Sequence, residues 1–307
     1  MTELRFDGQV AVVTGAGKGL GRAYAEQLAA RGAAVVVNNR RHTGETRGTA
    51  GDVVAGIRAA GGRAVANYES ADAPGSGPRI IAAALEEFGR VDVVIPNAGI
   101  AAVAAFHKMA PERIDEVLAV NLRGGLEVVH AALPHLREQG SGRILMTTSS
   151  AGLYGDAGFA AYAAAKSALL GFVASLALET ARAGIGVNVI LPFAHTPMTE
   201  GLLQGDAFPE GSAAVLDPSA VASLAVWLVS RECTRTGEVW LSGGRAFRRA
   251  AVVVSPGIVL QGDVTPEQIA AHADEIADLE GAAGYPSGQA LLDALARGSL
   301  GLPVDTD

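Results

Sequence analysis

The chain has a single cysteine, Cys233. No intrachain disulfide and no cysteine-based zinc site can form, and a reducing compartment suits it. Aromatic residues make up only 5%, against 49% hydrophobic residues overall, so the interior must be built from Ala, Val, Leu and Ile. That composition fits buried parallel strands and closely packed helices. Positive charge is also short. A net charge of −8 argues against a nucleic-acid or anionic-membrane surface. The six histidines fall at no metal-ligand spacing, His130 and His135 being five apart, so no metal site is expected. No Gly-x-Ser-x-Gly elbow surrounds any serine, which removes the serine-hydrolase reading. No charge-free stretch reaches the roughly 18 residues that span a bilayer, and neither end carries a signal core, a lipidation motif or a peroxisomal tripeptide. A soluble, cytoplasmic protein is the expectation.

What is present alternates. Short apolar runs at Gln9–Thr14, Ala33–Asn38, Arg63–Asn67, Val91–Ile95, Gly142–Thr148, Ile185–Leu191 and Glu238–Leu241 read as strands, with helical patterns between them. Pro111 opens one long helix to about Glu138, and Pro192 ends the sixth strand. Strand and helix in regular alternation give an α/β fold with a parallel, doubly wound sheet whose chemistry lies at the carboxyl ends of its strands. Residues 1–245 read as a dinucleotide-binding catalytic domain. Residues 246–307 read as an extension packed on it, with a capping box at Thr265 to Gln268 opening a helix to about Leu279 and a Gly-rich, partly disordered tail from Gly281.

The first strand runs into Thr14-Gly15-Ala16-Gly17-Lys18-Gly19-Leu20-Gly21, followed by a helix. Glycines let the backbone approach a pyrophosphate, whose charge is met by free N–H groups at the helix start. The spacing is Thr-Gly-x-x-x-Gly-x-Gly. After the second strand, where an acidic residue would hold the adenosine ribose, stand Asn39, Arg40 and Arg41. An asparagine does not repel a 2′-phosphate, and Arg40, Arg41 and Lys18 can pair with one. NADP is therefore favoured, with NAD the alternative. Asn97 holds either the adenine ribose or the sheet edge, and Asn121 is either a surface residue or specifically hydrogen-bonded. Ser149 faces the cleft at the end of the fifth strand. Tyr162 and Lys166 lie one turn apart on a helix, so the ammonium is expected to pull the phenol's pKa down toward working pH. His195 lies in a stretch to about Leu216 that reads as a mobile loop over the site.

The Thr14 to Gly21 spacing, Asn97-Ala98-Gly99, Asn121, Ser149, Tyr162 and Lys166 together resemble the short-chain dehydrogenase/reductase family over residues 7–245. The resemblance implies a Rossmann-type subunit moving hydride between a nicotinamide and a carbonyl or alcohol. Tyr162 would be the acid/base, Lys166 would hold the nicotinamide ribose, Ser149 the substrate oxygen, and Asn121 a water linking Lys166 to solvent. Leu4 to Gly8, Gly21 to Ala25, Gly62 to Tyr68 and Met198-Thr199 narrow it to the (3R)-hydroxyacyl-CoA dehydrogenase subgroup. That pattern implies that Gly15, Gly19, Leu20 and Gly21 cradle phosphates, that Ser70 and Ala71 lie near adenine, and that Thr196 meets the carboxamide. A homodimer or homotetramer is a further family expectation. Within the enzyme reading, a 3-hydroxyacyl thioester competes with a steroid-like or other bulky carbonyl. A non-catalytic nucleotide-binding sensor is the competing class. Asn39 stands where the subgroup has Asp, Pro96 replaces an Asn, and Phe193 stands near a usual glycine or asparagine.

Overall fold

The computed structural model describes residues 3–41, 49–200, 209, 211–300 and 302. Most of the polar loop expected over 43–49, and the central part of the loop expected before Leu216, lie outside them. The alternation folds as β1 (Val10–Val13), α1 (Gly19–Ala30), β2 (Ala34–Asn38), α2 (Ala50–Ala59), β3 (Arg63–Asn67), α3 (Ser76–Phe88) and β4 (Val93–Ile95). It continues with α4 (Pro111–Leu118), a π turn over Ala119–Arg123, α5 (Gly124–Gln139), β5 (Gly142–Thr147), α6 (Ser150–Tyr154), α7 (Ala160–Thr180) and β6 (Ile185–Phe193). Then come α8 (Ser212–Val215), α9 (Pro218–Leu228), β7 (Val239–Gly243) and β8 (Ala246–Ala250).

The eight strands form one sheet in the order β3-β2-β1-β4-β5-β6-β7-β8, parallel from β3 to β7. This is the Rossmann-type doubly wound sheet that the alternation implied. Its order reverses between β1 and β4, where such sheets bind ligands. Strand residues divide between the faces with a period of two. Ala11, Val13, Val35 and Val37 join a core with Tyr24, Leu28, Ile57 and Leu228, while Val10, Val12, Val36 and Val94 join one with Ile80, Leu136, Leu169 and Val173. Each fully buried Val, Leu or Ile contributes about 1.5–3 kcal/mol, which is how a chain poor in aromatics holds its sheet.

The elements differ from the sequence reading at several points. The long helix from Pro111 is interrupted by the π turn, which carries Asn121. β6 continues through Pro192 to Phe193. The carbonyl of Ile190 faces β5, accepting from Thr148 N at 2.9 Å, so the missing N–H of Pro192, two residues on, faces the same side. β5 has ended there, and no ladder bond is lost. β8 was not expected, because the sheet read as ending at Gly243-Gly244.

The chain divides into two compact units, 1–249 and 250–307. The second holds α10 (Pro266–Ala271), α11 (Ala273–Ala277), α12 (Gly288–Ser299) and a bridge between Val254 and Ala283. The capping box forms as expected, Thr265 Oγ1 accepting from Gln268 N and Gln268 Oε1 from Thr265 N. Its helix stops at Ala271 and restarts at Ala273. Within the stretch read as a partly disordered tail lies α12, which Ser287 caps by accepting from Ala290 N at 3.1 Å.

Candidate active site

The turn after β1 is fixed by its neighbours. Gly15 has φ +63° and Gly19 φ +57°. A Cβ on Gly15 would lie 2.8 Å from Ala98 Cα, and one on Gly21 would lie 2.4 Å from Gly15 O. Only glycine fits at these two points. Thr14 Oγ1 accepts from the backbone N of Asn97 and of Ala98, at 3.1 and 3.0 Å, and Asn97 Nδ2 donates back to Thr14 O at 3.2 Å and Gly15 O at 3.4 Å. Of the two roles left open for Asn97, the structure shows the sheet edge: its amide braces the glycine turn. Lys18, at the N-cap of α1, makes no side-chain cap bond, so the first-turn amides carry the partial positive charge of the helix. These features fit a dinucleotide pyrophosphate. Leu20 packs against the core at the head of α1, and Thr196 stands across from Gly19, its Cβ 3.5 Å from where a Gly19 Cβ would be.

At the ends of β2 and β3 a polar ladder sets the rim. Asn38, buried, donates to Asn67 Oδ1 at 2.7 Å and Glu69 O at 2.9 Å. Asn39 is half-buried and turns its amide back to Arg40 O at 3.1 Å. Arg40 is half-buried; Arg41 is exposed, its guanidinium 4.1 Å from the centroid of the Tyr68 ring. Ser70 donates to Asp72, and Ala71 is buried with its carbonyl accepting from Ser76 Oγ at 3.1 Å.

Across the switch point lie the groups with chemistry. Ser149 follows β5 and caps α6, its Oγ accepting from Ala151 N at 3.4 Å. Tyr162 and Lys166 share the buried side of α7, at 9% and 5% exposure. α7 is apolar on nearly every side and long enough to cross a membrane by length and composition. In this fold its Leu169, Val173 and Leu176 join the core beneath the sheet. Asn121 in the π turn is 4% exposed: Oδ1 accepts from Ile100 N at 3.1 Å, and Nδ2 donates to Ile100 O at 3.0 Å and Val117 O at 2.9 Å. Both its amide hydrogens are committed, so a water cannot be held by Nδ2. A Cβ on Gly99 would lie 2.8 Å from Asn121 Oδ1 and 3.8 Å from Lys166 Nζ, so both side chains come close to one glycine.

The electrostatics depart from the expectation. Tyr162 lies among Ala102, Met109, Val117 and Ala151, with Phe159 edge-on at 5.9 Å. Burial pushes its phenol above the usual tyrosine value, opposed by a hydrogen bond with Ser149. The Lys166 nitrogen lies 5.8 Å from the Tyr162 ring centroid and does not overcome this. Burial brings Lys166 itself down to about 8. Its Nζ donates to Thr147 O at 2.8 Å. His195 lines a cleft of ≈ 400 Å³ between the starts of α1 and α9, with Gly19, Arg22, Thr196 and Asp217. Among the described residues no three His, Cys, Asp or Glu side chains converge as a metal site would require. Sequence reasoning missed the bracing by Thr14 and the small-residue contacts at Gly99 and Gly152. The signal for the first was in the Thr-Gly-x-x-x-Gly-x-Gly motif itself.

A glycine-braced dinucleotide cradle facing a Ser, Tyr and Lys set across the switch point defines an oxidoreductase of the nucleotide-dependent class. Residues 9–206 match the family model for short chain dehydrogenases. A short-chain type dehydrogenase/reductase of Mycobacterium tuberculosis is 43% identical over 89% of this chain and 96% of its own length. Mouse peroxisomal multifunctional enzyme type 2 is 40% identical over 91% of this chain, which spans only 38% of that enzyme. The full-length Drosophila melanogaster enzyme of the same name superposes with a TM-score of 0.83 at 31% identity, covering 97% of this chain and 50% of that one. The chain belongs to the short-chain dehydrogenase/reductase family.

Proposed function

We propose that this enzyme interconverts a 3-hydroxyacyl and a 3-oxoacyl thioester, with NADP(H) favoured over NAD(H). The observation that supports the chemistry is that Ser149 follows β5 while Tyr162 and Lys166 lie on α7, with Lys166 Nζ close to Gly99, the neighbour of the Ala98 that Gly15 packs against. A nicotinamide dinucleotide bound in that cradle supplies or takes the hydride. In the direction of reduction, Tyr162 gives its hydroxyl proton to the carbonyl oxygen as negative charge develops there. Ser149 Oγ donates a hydrogen bond to the same oxygen. Lys166 keeps one N–H on Thr147 O and has two left for the ribose and the phenol. Asn121 holds the Ile100 backbone against the π turn and so shapes the wall beside Lys166.

The thioester reading draws on the resemblance to the (3R)-hydroxyacyl-CoA dehydrogenase subgroup and on the peroxisomal multifunctional enzymes, while a D-beta-hydroxybutyrate dehydrogenase of Cupriavidus necator, 32% identical over 78% of this chain, supports only the 3-hydroxy position of the reacting alcohol. Apolar Val103 and Phe106 are exposed on the segment that bonds Gly158 through Ala104 N at 3.0 Å, close to the start of α7. They suit an acyl chain, and equally a bulky secondary alcohol, which is the second reading. The cofactor preference rests on the absence of a carboxylate at Asn39, on Arg40 and Arg41 next to it in the chain, and on Lys18 in the glycine turn. A homodimer or homotetramer and a cytoplasmic location complete the proposal.

The test is reduction of acetoacetyl-CoA, followed by loss of cofactor absorbance, in wild type and Tyr162→Phe. Losing the proton donor should lower kcat by about 10²–10⁴-fold with little change in cofactor affinity. A Tyr162→Phe enzyme near the wild-type rate ends this mechanism. Fluorescence titration should show tighter NADPH than NADH, and Arg40→Asp should weaken NADPH by at least about tenfold and NADH much less. Equal losses would remove the 2′-phosphate assignment.

A further inference from the structure

The residue before Ser149 reaches the catalytic helix. Thr148 is 2% exposed, its N donates to Ile190 O at 2.9 Å, and its Oγ1 donates to the backbone carbonyl of Lys166 at 2.9 Å. In a regular α-helix that carbonyl already accepts from the amide four residues on, so the bond does not rescue a stray acceptor. A second tie runs the other way, from Lys166 Nζ to Thr147 O at 2.8 Å. Two neighbouring residues at the end of β5 thus hold both the backbone and the side-chain tip of one lysine.

The third contact at this point is made possible by Gly152. A Cβ there would lie 2.7 Å from Thr148 Oγ1 and 2.8 Å from Lys166 Cβ. Its carbonyl accepts from Ser167 Oγ at 2.5 Å. α6, which Ser149 caps, is therefore locked to α7 where Thr148 is. Ser149 is the next residue after Thr148, and Tyr162 is one turn before Lys166. Any slippage of the Thr148 to Lys166 contact moves the serine and the phenol relative to each other.

We infer that Thr148 is a positioning residue that fixes the spacing between Ser149 and the Tyr162/Lys166 pair. The inference rests on the catalytic assignment of those three residues. Misplacing reacting groups by about 1 Å can cost about 10²-fold in rate, so the bond has leverage far beyond its own strength.

The experiment compares wild type, Thr148→Val and Thr148→Ser on acetoacetyl-CoA or whichever simple ketone the wild type reduces faster, with Tyr162→Phe in parallel. Valine keeps the shape and removes the donor; serine keeps the donor. Thr148→Val should lower kcat by at least about tenfold and raise the isotope effect from deuterated NADPH, with the cofactor KM within about twofold. Thr148→Ser should recover most of the lost rate. A readout without substrate is the ultraviolet titration of the Tyr162 phenol, taken as the difference from Tyr162→Phe. Its midpoint should move in Thr148→Val and return in Thr148→Ser. A Thr148→Val enzyme with wild-type kcat and an unmoved midpoint overturns the inference, as does a serine variant that recovers nothing. An active Tyr162→Phe enzyme would instead overturn the catalytic assignment, so the two failures are told apart.

Discussion

Lys166 is an ammonium in the core with a carbonyl, and no carboxylate, for its hydrogen-bonding partner. Burial penalises the charged form, which is why its pKa falls to about 8 from an unfolded value near 10.5. Between those values the unfolded chain binds more protons than the folded one, so stability rises with pH over that window and is lost as pH falls through about 8. Replacing the group by a neutral side chain of similar length removes the penalty. Lys166→Met should raise the thermal midpoint at pH 7 by about 2–4 °C, with the gain shrinking as pH climbs from about 8 to 10.5. Thermal scans across that range check it, and a gain that grows with pH would mean the lysine is not held as described. Tyr162 contributes with the opposite sign: its raised pKa stabilises the fold below the unfolded value near 10 and is lost above it. The pair's spacing was visible in the sequence. The direction of the tyrosine shift was not, because it is set by Met109, Val117 and Ala151, brought in from other elements.

Glycines at element junctions show how little slack the turn after β1 has. A Cβ at Gly21 would sit 2.4 Å from Gly15 O and 2.6 Å from Asn97 Nδ2, so β1, α1 and the turn after β4 would all have to part. Gly21→Ala is expected to cost about 1–3 kcal/mol in chemical denaturation, the range for overpacked sites, and to weaken NADPH and NADH alike. Unchanged binding of both would show that the cradle is elsewhere. The π turn is the other junction with consequences. Asn121 is mildly unfavourable in an ordinary helix, but here it satisfies Ile100 N and O and Val117 O together. The sequence offered Pro111 as a helix start and Asn121 as an oddity inside. That the Asn121 side chain in the π turn closes on Ile100, 21 residues earlier in the chain, is reported by no local pattern.

Arg143, on β5, shows what binds the larger body at the edge opposite the site. Its guanidinium donates to the carbonyls of Gly142, Gly184, Ser230, Arg231 and Cys233, tying three connections with no carboxylate involved. All three hydrophobic clusters of the described residues lie within the unit 1–249. The unit 250–307 has no buried residue among those described, and Leu279, Leu292, Leu295 and Leu300 are exposed. A segment that buries so little cannot offset its chain entropy. A peptide spanning 250–307 should show weak helical circular dichroism with no cooperative melting, whereas 1–249 should unfold cooperatively and bind NADPH. A cooperative transition in the isolated peptide would refute this.

The sequence alone determined the alternation of strands and helices, the glycine turn and the identities of Ser149, Tyr162 and Lys166, because each rests on short-range spacing. Tertiary structure alone decided that Asn97 braces the turn, that Pro192 lies inside a strand, that burial pushes the Tyr162 phenol up, and that Thr148 joins the end of β5 to α7. Each of those depends on which distant backbone stands opposite a given residue, and burial and hydrogen-bond partners across a sheet are set only when the chain has closed on itself.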